Sequence, residues 1–190
     1  MAGAFRRGFK TEAERIALEL RAEVGVAANE RLDPALLARH LHIPVLTLHH
    51  LASEAPDAVR HFLGIGRTAF SAATIYLGRH RRAIITNPAH ATTRQMSSLC
   101  HEVSHIVLDH EAGAPTDAGR GRAWNPAQEH EADWLAGCLL IPDAAALSAA
   151  RAGRSAAEVA YSFGVSDALA TWRMNVTGAF LRAQRLARFR

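Results

Sequence analysis

Two histidines and a glutamate have the types and the spacing that metal chemistry requires. His101 and His105 are four positions apart, so on a helix they lie on one face, one turn above the other. Both imidazoles can then bind one ion at about 2.0–2.1 Å. Glu102 is turned about 100° around the helix from His101, so it flanks the ion instead of binding it. From there its carboxylate can take a proton from a water molecule that the ion has acidified, and the spacing therefore predicts Glu102 as a general base.

A catalytic zinc site also needs a third protein ligand and one open position, and the next predicted helix offers acidic candidates for that ligand. Glu129 and Glu131 are two positions apart, so their side chains point about 200° away from each other and only one can face the metal. Glu131 shares its face with Leu135 and Cys138, which are predicted to form a buried stripe, and it is therefore the preferred ligand. Glu129 is the alternative, and in that case Asp133, one turn further along its face, could support the site by hydrogen bonding.

The two motifs fall on segments that are predicted to be long helices separated by a surface loop. Apolar residues recur at helical spacing within residues 92–109, which carry the histidine pair, and within residues 127–140, which carry the acidic residues. Residues 111–126 contain Gly, Pro, Thr and Asp without periodicity, which is typical of a loop. A loop of this length lets the two helices pack antiparallel and brings an acidic side chain to the histidines.

The remaining segments predict a short sheet and several more helices. Strands are predicted at residues 43–48, 70–77 and 82–86 with a hairpin turn at 78–81, and helices at 11–24, 33–41, 52–62, 144–151, 155–163 and 166–176. Thr11 and Glu14 are predicted to form a capping box at the start of the first helix. This order predicts an α+β fold with a small antiparallel sheet packed on the catalytic helices and a helical C-terminal part. The edge of the hairpin could pair with an extended peptide.

Length and composition indicate a globular protein with one domain. The 190 residues suffice for one hydrophobic core. Within it we expect an N-terminal helix in residues 1–30, a zinc-binding catalytic core in 31–142 and a helical C-terminal subdomain in 143–190. The 22 Lys and Arg and 18 Asp and Glu leave a formal net charge of only +4, so direct nucleic-acid binding is not indicated by charge.

The cysteine content and the lengths of the apolar runs indicate the cellular compartment in which the protein is found. Cys100 and Cys138 are too few for a disulfide framework, and both fall at helix positions predicted to be core, so buried free thiols are expected. Residues 1–23 are basic and charged and lack the apolar run of a signal peptide. The apolar runs elsewhere are shorter than a membrane span. We therefore expect a cytoplasmic protein with no membrane association.

The residues on either side of the histidine pair and of the acidic cluster also resemble conserved segments of a known protein family. The first begins with Asn-Pro at 87–88 and ends with Ser-Leu-Cys-His-Glu-Val-Ser-His at 98–105. The second, at 131–142, reads Glu-Ala-Asp-Trp-Leu-Ala-Gly-Cys-Leu-Leu-Ile-Pro, and weaker matches occur at 32–45 and 163–173. On these residues, which together extend over nearly the whole chain, the sequence resembles the ImmA/IrrE family of bacterial metallo-endopeptidases.

This resemblance implies a zincin-like minimal metallopeptidase domain with a gluzincin-like site. It implies that His101 and His105 are ligands of a Zn²⁺ cofactor, that Glu131 is the third ligand, and that Glu102 is the general base. Characterised relatives cut helix-turn-helix repressors and so turn on stress-response or mobile-element genes. The resemblance therefore implies that the protein substrate is a DNA-binding transcriptional repressor.

Two other functions are left open by the residues. A zinc-carrying module could bind a repressor or a toxin partner without cutting it, and a nucleic-acid-binding protein could have the same small basic excess, although no recognition-helix pattern favours one. Peptide hydrolysis also needs a group that stabilises the developing oxyanion. The candidates for this role are Tyr161, His110 and Arg173, and the sequence does not choose among them.

Overall fold

The computed structural model describes residues 5–76, 81–110 and 125–188, and within them the chain forms nine α-helices and three strands. The helices are α1 (Phe9–Glu23), α2 (Pro34–His40), α3 (Pro56–Leu63), α4 (Thr92–Val107), α5 (Pro126–Leu140), α6 (Asp143–Arg151), α7 (Ala156–Phe163), α8 (Asp167–Val176) and α9 (Ala179–Ala187). The strands are β1 (Val45–Thr47), β2 (Ala72–Tyr76) and β3 (Arg82–Thr86). The α+β fold class is confirmed. Most of the loop predicted at 111–126 lies outside the described residues.

The sheet has the strand order β1–β3–β2 and is mixed. β2 runs antiparallel to β3, with Thr74 opposite Ile84, while most of the turn predicted at 78–81 lies outside the described residues. β1 runs parallel to β3, with Val45 opposite Ile84, so the expectation of a purely antiparallel sheet is wrong. β2 and β3 are joined by a short connection, as an antiparallel pair can be. β1 and β3 are separated by a long segment that includes α3 and β2, and such a segment allows the two strands to run parallel. In the described sheet, β2 is an edge strand.

α4 and α5 pack against each other within the larger hydrophobic core. Leu99 and Val103 of α4 and Leu135 of α5 are buried there, and α1 packs against α5 as well. Buried residues from all three predicted parts of the chain belong to this one cluster. The boundaries between those parts stay a prediction.

Two fully buried arginines bind carbonyl groups at the C-terminal end of α5. Arg21 of α1 donates to the carbonyl oxygen of Leu139 at 2.6 Å, and Arg173 of α8 donates to that of Ile141 at 2.9 Å. The last carbonyls of a helix lack partners within the helix and lie at the negative end of its dipole, so cations are favourable there. Arg173 also donates to Glu14 of α1, and the other carboxylate oxygen of Glu14 accepts from the first backbone N–H of α6.

Four starts of the described α-helices follow the capping rules, and one predicted cap is wrong. The side chains of Asp33, Asn125, Ser155 and Ser166 each accept a hydrogen bond from a backbone N–H of the helix that follows. α1 instead begins after Gly8, which has a φ of 83°, so the predicted capping box of Thr11 and Glu14 does not form. Glu14 is engaged by α6 and α8, and this long-range contact outweighs the local one. The periodicity of the sequence did not predict α9.

No single helix in the described parts of the chain is long and apolar enough to cross a membrane. α5 and α6 reach the required length and hydropathy only when they are counted together, across a bend of 50°. Within α5, most residues after its first two turns are buried in the protein.

Candidate metal centre

The side chains of His101 and His105 converge on a glutamate from α5. Their Nε2 atoms are 3.0 Å apart, which the one-turn spacing on α4 allows. One carboxylate oxygen of Glu129 lies 3.3 Å from Nε2 of His101, and the other lies 3.5 Å from Nε2 of His105. Each of the three residues offers one ligand atom, and these atoms lie within 4.8 Å of one another.

These three groups are close enough together to bind one metal ion. Ligand atoms bound at about 2.0–2.1 Å with tetrahedral angles are about 3.3–3.4 Å apart. The two Nε2 atoms are 3.0 Å apart, and each lies 3.3 or 3.5 Å from a different oxygen of Glu129, so the carboxylate faces both rings at about the distance that a shared ion requires. Two imidazole nitrogens and a carboxylate form a donor set that suits catalytic zinc, which keeps a fourth position open. The His105 side chain is 2% exposed, whereas those of His101 and Glu129 are 22% and 19% exposed, so the centre is accessible from one side.

Glu129 is the acidic residue that α5 brings to the histidine pair, and the preference for Glu131 is corrected accordingly. Oε2 of Glu131 lies 3.4 Å from Nε2 of His110, and its Oε1 lies 3.4 Å from Nε of Arg6. The preference for Glu131 depended on a single buried stripe along α5. Every residue of 134–140 is buried, however, so burial in this helix does not identify the face that points to a metal.

Glu102 lies at the wall of an open cavity of about 340 Å³ beside His101. The cavity is lined by Ser71, Ala72, Ser97, Ser98, His101, Glu102 and Asp133. Glu102 is 8% exposed, and its Oε2 accepts a hydrogen bond of 2.6 Å from the hydroxyl of Thr74. Thr74 belongs to β2, so the edge strand orients the carboxylate. No pattern in the sequence indicated Thr74, because its contact depends on how the sheet packs on α4.

Asp133 and Glu129 surround the imidazole of His101 with negative charge. Nδ1 of His101 lies 2.8 Å from Oδ1 of Asp133, which agrees with the supporting role considered for that residue. Burial by itself lowers the pKa of His101. The hydrogen bonds to Asp133 and Glu129, together with the charges of Asp133 and Glu102, outweigh burial and raise this pKa to about 9. This pKa favours the protonated ring at neutral pH, so an ion bound to Nε2 of His101 would have to displace a proton.

The structure brings one of the three oxyanion candidates, His110, to the site. Its Nδ1 lies 2.9 Å from Nδ1 of His105, and the residue is 6% exposed. Arg173 is bound to the carbonyl of Ile141, at the opposite end of α5 from the metal centre. Tyr161 of α7 is 90% exposed. His110 is therefore the residue whose role at the site has to be explained.

Cys100 and Cys138 are buried free thiols, as the sequence predicted. Sγ of Cys100 donates to the carbonyl oxygen of Ala136 at 3.7 Å, so this thiol takes part in the α4–α5 contact. Burial raises the pKa of Cys100 to about 12 and raises the pKa of Cys138 as well. Both thiols are protonated at neutral pH, and in the described residues neither belongs to the metal-binding group.

We compared the sequence with models of known protein families, and a peptidase family matches the part of the chain that contains this site. The Peptidase_M78 family, described as the IrrE N-terminal-like domain, matches residues 64–175, which include β2, β3, α4 and α5. A comparison with curated proteins and one with solved structures each give no match. The match extends over more than half of the chain and includes the histidine pair, Glu102 and Glu129. The chain belongs to the Peptidase_M78 family of metallopeptidases.

Proposed function

We propose that this protein is a zinc endopeptidase that hydrolyses a peptide bond in a regulatory protein. His101, His105 and Glu129 hold the ion, and Glu102 is the general base. The observation that carries the proposal is that ligand atoms of two histidines and a glutamate lie within 4.8 Å of one another, beside a buried glutamate at the wall of an open cavity. A Zn²⁺ ion in this position supplies a Lewis acid that polarises the scissile carbonyl group and acidifies water.

Glu102 takes the proton of the attacking water and passes it to the leaving amine. The hydrogen bond from Thr74 at 2.6 Å holds Oε2 of Glu102, so Oε1 is the oxygen assigned to this proton. Only 8% of Glu102 is exposed, which limits competition from bulk water. A base that is oriented before the substrate arrives needs little rearrangement during the reaction.

An extended peptide can approach Glu102 along the outer edge of β2. β2 pairs with β3 on one side, and within the described residues no strand pairs with its other side. Ser71 and Ala72, at the start of β2, line the same cavity as Glu102. A peptide added to this edge gains backbone hydrogen bonds, and its chain then passes the general base.

We further propose that the substrate is a cytoplasmic DNA-binding repressor, and that its cleavage changes transcription under stress. The support for this is the likeness of the motif regions to the ImmA/IrrE family, whose characterised members cut such repressors. Remote contacts must position the scissile bond in a substrate of this kind. A generic substrate such as casein is therefore expected to be cut poorly.

The proposal is tested by incubating the protein with the repressor encoded beside its gene. Wild type and Glu102→Gln are compared, each with and without a chelator. We expect cleavage only by the wild type without chelator, and its recovery when Zn²⁺ is added back. Glu102→Gln keeps the side-chain size and the contact with Thr74, so it should bind as much zinc as the wild type. A repressor that survives equally in all four reactions would overturn the proposal in favour of a module that carries zinc without cutting.

A further inference from the structure

A second histidine and a second glutamate lie behind His105, on the opposite side of its ring from Glu129. Nδ1 of His105 lies 2.9 Å from Nδ1 of His110. Nε2 of His110 in turn lies 3.4 Å from Oε2 of Glu131. His105 and His110 are 2% and 6% exposed, so the contact between the two rings is inside the protein, whereas the Glu131 side chain is 16% exposed. Arg6, which pairs with Glu12 at 2.6 Å, also lies 3.4 Å from the other oxygen of Glu131.

The end of α4 turns the chain so that His110 comes back to His105. The backbone N–H of Asp109 donates to the carbonyl of Ile106 at 3.1 Å, and that of His110 donates to the carbonyl of His105 at 3.0 Å. This pair of hydrogen bonds is a Schellman motif, in which a left-handed residue, usually glycine, ends the helix. Asp109 occupies that position with a φ of 49°. Arg82 donates to the exposed carboxylate of Asp109 at 2.7 Å and to the carbonyl oxygen of Ile106 at 3.3 Å, and Asp is one of the residues that adopt this uncommon backbone conformation more readily than most.

The carboxylate of Glu131 determines which nitrogen of each ring carries hydrogen. An ionised carboxylate only accepts, so Nε2 of His110 is the donor. A neutral imidazole has one donor and one acceptor, so Nδ1 of His110 accepts and Nδ1 of His105 donates. The lone pair of His105 is then on Nε2, the atom that faces the metal position. Asp133 lies 2.8 Å from Nδ1 of His101 and accepts from that nitrogen directly, so once His101 has lost its second proton its lone pair is also on Nε2.

We propose that His110 and Glu131 are positioning residues that hold His105 in the tautomer that binds the metal. The inference rests on the proposed metal centre, but not on whether the metal-loaded protein cuts peptides. Both residues act through His105 and do not bind the ion themselves. Groups that orient a metal-binding histidine in this way typically change metal affinity by about 10–100-fold.

The first test locates the ring hydrogens by ¹H–¹⁵N NMR of the metal-free protein, at a pH where both rings are neutral. We expect the hydrogen of His105 on Nδ1 and that of His110 on Nε2. Hydrogen on Nε2 of His105 would overturn the proposal. This measurement needs neither the metal nor a substrate.

The second test compares two substitutions of His110 by competition for Zn²⁺ with a chromophoric chelator. His110→Phe keeps a planar ring but has no acceptor, so we expect zinc affinity to fall by about 10–100-fold. His110→Asn places an oxygen near the position of Nδ1, and we expect it to recover most of that affinity. Wild-type affinity in a folded His110→Phe protein would contradict the proposal. An equal loss in both variants would also contradict it, because it would indicate a packing effect only.

Asp109→Gly is the matched control in the same turn. Glycine adopts a φ of 49° without strain, so His110 should keep its place and zinc affinity should remain that of the wild type. A wild type that binds no zinc would overturn the proposed function. A wild type that binds zinc without cutting would overturn only the peptidase activity. Equal zinc affinity of the wild type and His110→Phe would overturn only the positioning role.

Discussion

The identity of the third ligand can be tested sharply, because two glutamates of α5 can be changed in the same way. Glu129→Gln and Glu131→Gln each replace a carboxylate by an amide of the same shape, two positions apart on one helix. Glu129 lies 3.3 and 3.5 Å from the two Nε2 atoms of the histidine pair. Glu131 contacts His110 and Arg6 instead, each at 3.4 Å. Metal binding should therefore depend far more on Glu129.

The size of each loss in zinc affinity follows from the role that we propose for each glutamate. Zinc binding by four ligands is worth about 10–16 kcal/mol, which is about 2.5–4 kcal/mol for each ligand. Since 1.4 kcal/mol corresponds to a factor of ten, Glu129→Gln should lower zinc affinity by about 100- to 1,000-fold. Glu131→Gln keeps an oxygen that can accept from His110, so its loss should be about tenfold or less.

Competition with a chelator at constant pH and ionic strength measures both affinities, and circular dichroism with thermal unfolding shows that each variant is folded. The ratio of the two losses is the informative quantity, because a general change in the charge of α5 affects both variants alike. Equal losses, or a larger loss in Glu131→Gln, would refute Glu129 as the ligand. The second outcome would restore the assignment that the sequence favoured.

Three further predictions concern the base, a buried arginine and a thiol. Thr74→Val should lower kcat by about 10- to 100-fold at unchanged zinc affinity, because Glu102 loses the hydroxyl that orients it. An unaltered kcat in steady-state assays would contradict this prediction. Arg173→Met removes the cationic partner of Glu14, which keeps only the backbone N–H of Asp143 as a donor. It should cost about 1.5–3 kcal/mol of unfolding free energy in urea titrations, part of which Glu14→Leu should restore. Burial raises the pKa of Cys100 to about 12, so this thiol stays protonated and should resist disulfide reagents at about pH 8 until the protein unfolds.

The histidine pair and Glu102 could be predicted from the sequence because helix geometry alone relates them. Residues at i and i+4 share a face whatever surrounds the helix, so the 3.0 Å approach of the two Nε2 atoms needs only that α4 forms. The choice between Glu129 and Glu131 depends instead on the rotation of α5 about its axis. Because the second half of α5 is buried all around, the sequence contains no one-sided pattern from which this rotation could be inferred.

The contacts of Thr74 and His110 could not be predicted, because each depends on a conformation that local sequence does not signal. Thr74 contacts Glu102 only because the edge strand β2 packs on α4, and the sheet itself was predicted to be antiparallel although it is mixed. His110 returns to His105 through a left-handed residue, which is Asp109 and not the glycine that usually marks such a turn.

The position of Glu129 also depends on contacts at the opposite end of α5. Bringing Glu131 to the histidines instead would require a rotation of α5 by about 200°. That rotation would turn the carbonyl of Leu139 away from Arg21, a fully buried cation. Leu139 lies ten residues beyond Glu129, roughly 15 Å along the helix axis. Arg21 belongs to α1, which precedes the segment that the family matches, so α1 helps to orient the candidate metal centre although none of the proposed ligands lies on it.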